Sequence, residues 1–184
     1  MAATYQLHNR FDPPDPLTLR TPGVSGDIGG WKLSPMVELR TLALGGTGVS
    51  GDINSWAYTS MTKLEQLSLY GTQVTGDIGG WRLATMTQMK NLDLYGCGVS
   101  GDISGWKDTT MTGLETLMLA GTDVGGSLTG WAGSPMAGLQ QLVLGGTNVY
   151  AARVASNSSA WRALSRRSAC MQARSHQRLV HAFD

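Results

Sequence analysis

Charge, cysteine and histidine are all scarce in this chain, and each shortage closes a route. Charged residues are 15% of the 184 positions and apolar ones 41%, a balance that suits one globular or repeat domain and fits neither a disordered nor a fibrous chain. Two cysteines, Cys97 and Cys170, make no disulfide framework and no zinc spacing. No apolar run approaches the roughly eighteen residues that span a bilayer, so no transmembrane segment is expected. The opening stretch MAATYQLHNRFDPPDPLTLR lacks the apolar core of a secretory signal, and the chain is therefore expected to stay inside the cell, in the cytoplasm or an organelle. His8, His176 and His181 stand near the two ends. No imidazole is thus placed to act as a base beside a Ser, Cys or Asp, and neither a P-loop nor a dinucleotide fingerprint is present. These shortages predict no enzyme, no cofactor, no metal centre and no small-molecule substrate.

What the chain has instead is repetition. Trp31, Trp56, Trp81, Trp106 and Trp131 recur every 25 residues without slippage, as do Met36, Met61, Met86, Met111 and Met136. A third column reads Leu39, Leu64, Met89, Leu114, Leu139, and the columns that begin at Leu17 and Leu19 run on through Leu42 and Leu44 to Leu142 and Leu144. A fixed period of this length marks a solenoid, in which no single unit can bury its apolar face alone. Apolar alternation at 42–44 predicts a short strand with one buried face. Equivalent strands lie 25 residues apart and need a crossover between them, so they pair in parallel. About six such strands and five intervening segments result. Val49, Gly51 and Ile53, at spacing two, predict a second extended piece in each unit. Ser34, Thr59, Ala84, Thr109 and Ser134, followed by proline at Pro35 and Pro135, predict one helical turn starting there, with the Met column turned inward.

The segment LRTLALGGTGVSGDI (39–53) fits the pattern LxxLxLxx(N/T/C)xLxGxI. It resembles the plant-type leucine-rich repeat, with Thr47, Thr72, Cys97, Thr122 and Thr147 where that family carries asparagine. The resemblance covers about residues 14–150. It implies an α/β solenoid with a parallel sheet on a concave face, short helical turns on the convex side, and the Thr/Cys column bonding the backbone of adjacent coils. The lead 1–13 and the tail 151–184 fall outside it.

Four columns invite other chemistry. The tryptophans could stack on sugars or bases, but a ring locked beside Ile at one register reads as core, and the methionines read as gap-fillers of the same core. Asp27, Asp52, Asp77 and Asp102 would stack as like charges about 5 Å apart. Calcium could neutralise them, yet Ser127 takes the fifth position, and serine caps a turn well but binds calcium poorly. The capping reading is therefore preferred. A threonine ladder can bind ice only from an exposed flat row, which the expected burial of the Thr/Cys column denies.

Function must lie where the repeats differ. On the expected concave face one column reads Asp15, Arg40, Glu65, Lys90, Glu115, Gln140, alternating in sign until its last member. The others read Thr18, Ala43, Ser68, Asp93, Met118, Val143, and Arg20, Gly45, Tyr70, Tyr95, Ala120, Gly145. Two neighbouring tyrosines over small residues suit a protein or peptide hot spot. The candidate partner-binding residues are Ser68, Tyr70, Asp93, Tyr95 and Met118, flanked by Glu65 and Lys90. The reading is a non-catalytic interaction module, a scaffold or docking subunit of a larger assembly. Its alternatives are a structural or ice-binding solenoid and a tail that binds nucleic acid or an anionic surface.

The tail carries the last alternative. Residues 1–149 hold eight Lys/Arg against twelve Asp/Glu, whereas 150–184 hold six Arg and one Asp. Val154, Trp161, Leu164, Ser168 and Met171 approximate one helical stripe, which favours a cap over the last repeat. Without an aromatic or basic motif, nucleic-acid binding is not the favoured reading. Deleting 151–184 separates the two. The cap reading expects loss of cooperative urea unfolding; lost binding to RNA or anionic vesicles with folding intact would transfer the tail to polyanion recognition.

Overall fold

The regular unit of the fold is a coil with two short strands and one 3-10 turn. The computed structural model describes residues 17–20, 23–33 and 36–150; the lead 1–13 and the tail 151–184 lie outside these, as do Asp15, Ser34 and Pro35. Strands β1 (Leu17–Arg20), β3 (Leu39–Ala43), β5 (Gln66–Ser68), β7 (Asn91–Asp93), β9 (Thr116–Met118) and β11 (Gln141–Val143) form one parallel sheet in that order. Strands β2 (Ser25–Asp27), β4 (Gly48–Asp52), β6 (Gln73–Asp77), β8 (Gly98–Asp102), β10 (Asp123–Ser127) and β12 (Asn148–Tyr150) form a second. Leu42 faces Leu67, Leu67 faces Leu92, Leu92 faces Leu117 and Leu117 faces Leu142, so the 25-residue period is also the sheet register. The six parallel strands expected are present. The second extended piece does more than expected, because it pairs into a sheet of its own.

The core lies between the sheets and the 3-10 turns. Leu42, Leu44, Val49, Ile53, Trp56 and Met61 are fully buried, and the same positions of the next two coils repeat this. A buried side chain of this size contributes about 1.5–3 kcal/mol, but only once a neighbouring coil covers it. Trp56, Trp81, Trp106 and Trp131 are completely enclosed. Trp31 departs from the expectation of five buried tryptophans: it is only partly buried, packed against the core from the first coil. Its coil has a described neighbour on one side only. Trp106 Nε1 donates to Ile78 O at 3.2 Å, whereas the indole N–H groups of Trp56, Trp81 and Trp131 are buried without a partner. Packing, then, rather than hydrogen bonding, holds this column.

The helical turn sits earlier than the hydroxyl column predicts. It spans Gly29–Leu33, Asn54–Tyr58, Gly79–Leu83 and Ser104–Asp108, around the tryptophan rather than after it. The aspartates explain the shift. Asp52 Oδ1 accepts the Asn54 N–H at 2.8 Å, and Asp27, Asp77 and Asp102 accept those of Gly29, Gly79 and Ser104 at 2.7 Å each. In the fifth unit Ser127 Oγ accepts from Thr129 N at 3.1 Å. The carboxylate fixes the amide two residues on and starts the turn there, which is the capping role expected of this column. Thr59 and Thr109 still accept the amides of Met61 and Met111 at 3.3 and 3.2 Å, closing a bend without a helix. Among the described members of the column only Ser134 opens a true turn, Pro135–Gly138, by accepting from Met136 N.

Each capping carboxylate also shapes the next coil. Asp77 Oδ1 lies against the α-carbon of Gly101, where an added Cβ would come within 2.1 Å of it. Gly101 also has φ +116°, a conformation that side chains rarely adopt. The recurring Gly-Asp pair is thus one device: the aspartate of one coil occupies the space that the glycine of the following coil leaves open. Gly101→Ala is expected to lower stability by at least about 1–3 kcal/mol. Gly80→Ala, at a position with open space around it, should shift the urea midpoint little. Equal midpoints for the two variants would remove this account of the glycine column.

Candidate binding face

The outer face of the first sheet is built by strand alternation. In each coil the leucines at Leu42 and Leu44, and their equivalents, point inward, so the residues between and beside them point out. Backbone bonds lock the rungs together: Leu44 N donates to Ser68 O at 2.8 Å, Leu69 N to Asp93 O at 2.9 Å and Leu94 N to Met118 O at 2.9 Å. Gly46 N donates to Tyr70 O and Gly71 N to Tyr95 O, both at 2.7 Å, which sets the two tyrosines on adjacent rungs.

The structure brings five of the predicted residues into one patch. Ser68, Asp93 and Met118 are mutually facing register partners on β5, β7 and β9, all partly exposed. Tyr70 and Tyr95, 47% and 54% exposed, stand just beyond the ends of β5 and β7. The Tyr70 ring lies over Gly45, whose added Cβ would meet it at 2.2 Å. Glycine at that position lets the ring lie down. Asp93 is anchored: its Oδ1 accepts the Tyr95 N–H at 3.1 Å, and the Ser68 hydroxyl donates to its Oδ2 at 3.5 Å.

Glu65 and Lys90 have a different occupation. Arg40 Nη1 donates to Glu65 Oε1, and Lys90 Nζ bonds Glu65 Oε2 at 2.7 Å, so one carboxylate bridges two cations across three coils. Glu38 and Lys63 pair similarly at 2.7 Å. Lys90 first, then Arg40, holds the Glu65 carboxyl below its ordinary value. Of the alternation of sign expected over five strands, the described residues show bonded pairs over three, Arg40, Glu65 and Lys90; Asp15 lies outside them. Among the described residues neither Glu115 nor Asp93 has a cationic partner.

The Thr/Cys column departs from its expected role. Thr47, Thr72, Thr122 and Thr147 donate to the carbonyls of Leu44, Leu69, Leu119 and Leu144 within their own coils, at 2.6–2.7 Å. Each of these hydroxyls turns to the carbonyl three residues back, and Thr72 Oγ1 also lies 3.6 Å from Cys97 Sγ of the next coil. Within the column Cys97 alone reaches the backbone of the adjacent coil, donating to Leu69 O at 2.9 Å.

No family model matches the sequence, and no curated protein matches it. Solved structures do. The chain is similar to the leucine-rich-repeat ectodomain of the receptor kinase SOBIR1 from Arabidopsis thaliana, at 21% identity and a TM-score of 0.57, over 73% of this chain and 72% of that one. It is also similar to the leucine-rich-repeat ectodomain of the plant membrane receptor kinase GASSHO1/SCHENGEN3 from the same plant, at 23% identity and a TM-score of 0.51, over 61% of this chain but 13% of that one. The chain has the fold of a leucine-rich-repeat solenoid. Its two sheets of short parallel strands joined by short 3-10 turns match the fold of these neighbours. A plant ice-binding protein aligns with a TM-score of 0.36, too low to carry an argument.

One column of the solenoid's outer face is missing from the candidate residues named from sequence. Thr41, Gln66, Asn91, Thr116 and Gln141 are all at least partly exposed and lie two positions before the Ser68 column. The same period-two alternation would have found them. They add uncharged donors and acceptors beside the tyrosine patch.

The Glu65 bridge generates a pH test. Because its carboxyl is lowered in the folded state, its contribution is present above the unfolded glutamate value and is lost as pH falls through the folded one. Wild type should therefore exceed Glu65→Gln in urea midpoint at neutral pH, with the gap closing in acid and shrinking in high salt. A gap that persists at low pH would assign the effect to packing.

Proposed function

We propose that this solenoid is a non-catalytic docking module or scaffold subunit that binds a protein or peptide segment on the outer face of its central coils. The single observation that carries the reading is the exposure of Tyr70 and Tyr95 on adjacent rungs, in a molecule that encloses Trp56, Trp81, Trp106 and Trp131. Two adjacent rigid, amphipathic rings lose little entropy on binding, and tyrosine is enriched at hot spots. Core positions are nearly interchangeable from coil to coil, so specificity can reside only in the outward residues. These differ most across Ser68, Tyr70, Asp93, Tyr95 and Met118. The structure of the GASSHO1/SCHENGEN3 ectodomain is a complex with CASPARIAN STRIP INTEGRITY FACTOR 2, which supports a binding role for a solenoid of this build. We propose an intracellular location, as the sequence reading expects; a glycan on Asn157 of the Asn157-Ser158-Ser159 sequon in the native protein would overturn it.

The test is capture by the full chain followed by mass spectrometry and a measured Kd for the partner recovered. Changing both Tyr70 and Tyr95 to Ala should weaken that Kd by at least about 2 kcal/mol, while stability stays within about 1 kcal/mol because both rings are exposed. Undiminished binding by the folded double variant would move the site to the other face or the tail.

A further inference from the structure

The charges of the outer face are not evenly settled. Arg40, Glu65 and Lys90 satisfy one another, and Lys63 is taken by Glu38. Asp93 and Glu115, beside and beyond the tyrosine pair, have no cation among the described residues. Asp93 is also held in position. Its two oxygens take the Tyr95 amide at 3.1 Å and a long bond from Ser68 at 3.5 Å. A carboxylate has about four acceptor sites, so at least half of its capacity stays open.

A carboxylate with no cation among the described residues, held two residues before the exposed Tyr95 and one rung from Tyr70, is a receptor for a cation, because an exposed ring face and a carboxylate attract positive charge together. Among peptide cations the planar guanidinium fits better than the ammonium. It stacks on a ring, presents a fork to a carboxylate, and gives up hydration more readily. Met118, the register partner of Asp93, offers an apolar contact one rung further on. We propose that the segment bound by this face carries an arginine, with its guanidinium on the Asp93 carboxylate and against the adjoining tyrosine surface, and an apolar neighbour against Met118. This assignment rests on the docking role proposed above and names the chemistry of its partner.

The experiment is a selection from a random linear peptide library displayed on phage, against the full chain and against its Tyr70→Ala/Tyr95→Ala variant, with circular dichroism reporting folding. Wild type should enrich peptides that share an arginine at one aligned position, and the double variant should not. For the best synthetic peptide, replacing that arginine by its neutral analogue citrulline should raise Kd about tenfold or more, and Asp93→Asn should do the same. Both changes together should cost no more than either alone, because each removes the same pair. Peptides that require both tyrosines yet lack the arginine, or tolerate citrulline, would overturn the arginine assignment and leave the docking face standing. Peptides indifferent to the tyrosines would end both readings.

Discussion

Each coil of this molecule leaves half of its strand backbone unbonded, and only the next coil completes it. A strand of three to five residues is too short to hold itself, so every rung depends on in-register parallel pairing with its neighbours. The side-chain columns follow from that dependence. A leucine at Leu42 must meet Leu67, and Leu67 must meet Leu92, because any change of size would open a gap on one side and a clash on the other. The Gly-Asp pair extends the rule to the second sheet, where the carboxylate of one coil sits in space reserved by a missing side chain in the following coil.

That constraint divides the molecule between a fixed inside and a free outside. Residues between the leucines are free of the size matching that binds the core, so they can vary at little cost to the fold. The variation is not random in its chemistry. Arg40, Glu65 and Lys90 neutralise one another on one stretch of the face, while the adjoining stretch presents tyrosines, a thioether and acids with no cation among the described residues. One stretch secures register and the other is left open for a partner.

Much of this was legible in the residues alone. The leucine and tryptophan columns, the parallel register and the capping aspartates all follow from spacing, because a solenoid repeats in space what it repeats in sequence. Legibility failed where two local interactions competed. Asp52 and Thr59 both offer oxygen to an amide two residues on, and nothing in their order says that the carboxylate starts the helical turn while the hydroxyl merely bends the chain. It failed again at the first coil, where Trp31 has the right identity but a described neighbour on one side only. On the outer face, alternation named Tyr70, Tyr95 and Asp93 correctly as surface residues. The Thr41–Gln66–Asn91–Thr116–Gln141 column was equally readable and was passed over. That Asp93 is anchored by the Tyr95 amide, and that the ion pairs stop at Lys90, depend on side-chain geometry that spacing cannot carry.

The Arg40–Glu65–Lys90 bridge bears on a hazard specific to such sequences. A chain built of near-identical units has translational degeneracy: a strand could skip one coil and dock on the next but one, with all its leucines still matched. Pairing β3 directly with β7 would set Arg40 against Lys90, like charge on like, and would leave Glu65 without either cation. Alternation of sign therefore works as a parity check on assembly, penalising a skip of a single coil wherever the alternation runs, as at Arg40 against Lys90 and Glu65 against Glu115, while costing the correct stack nothing.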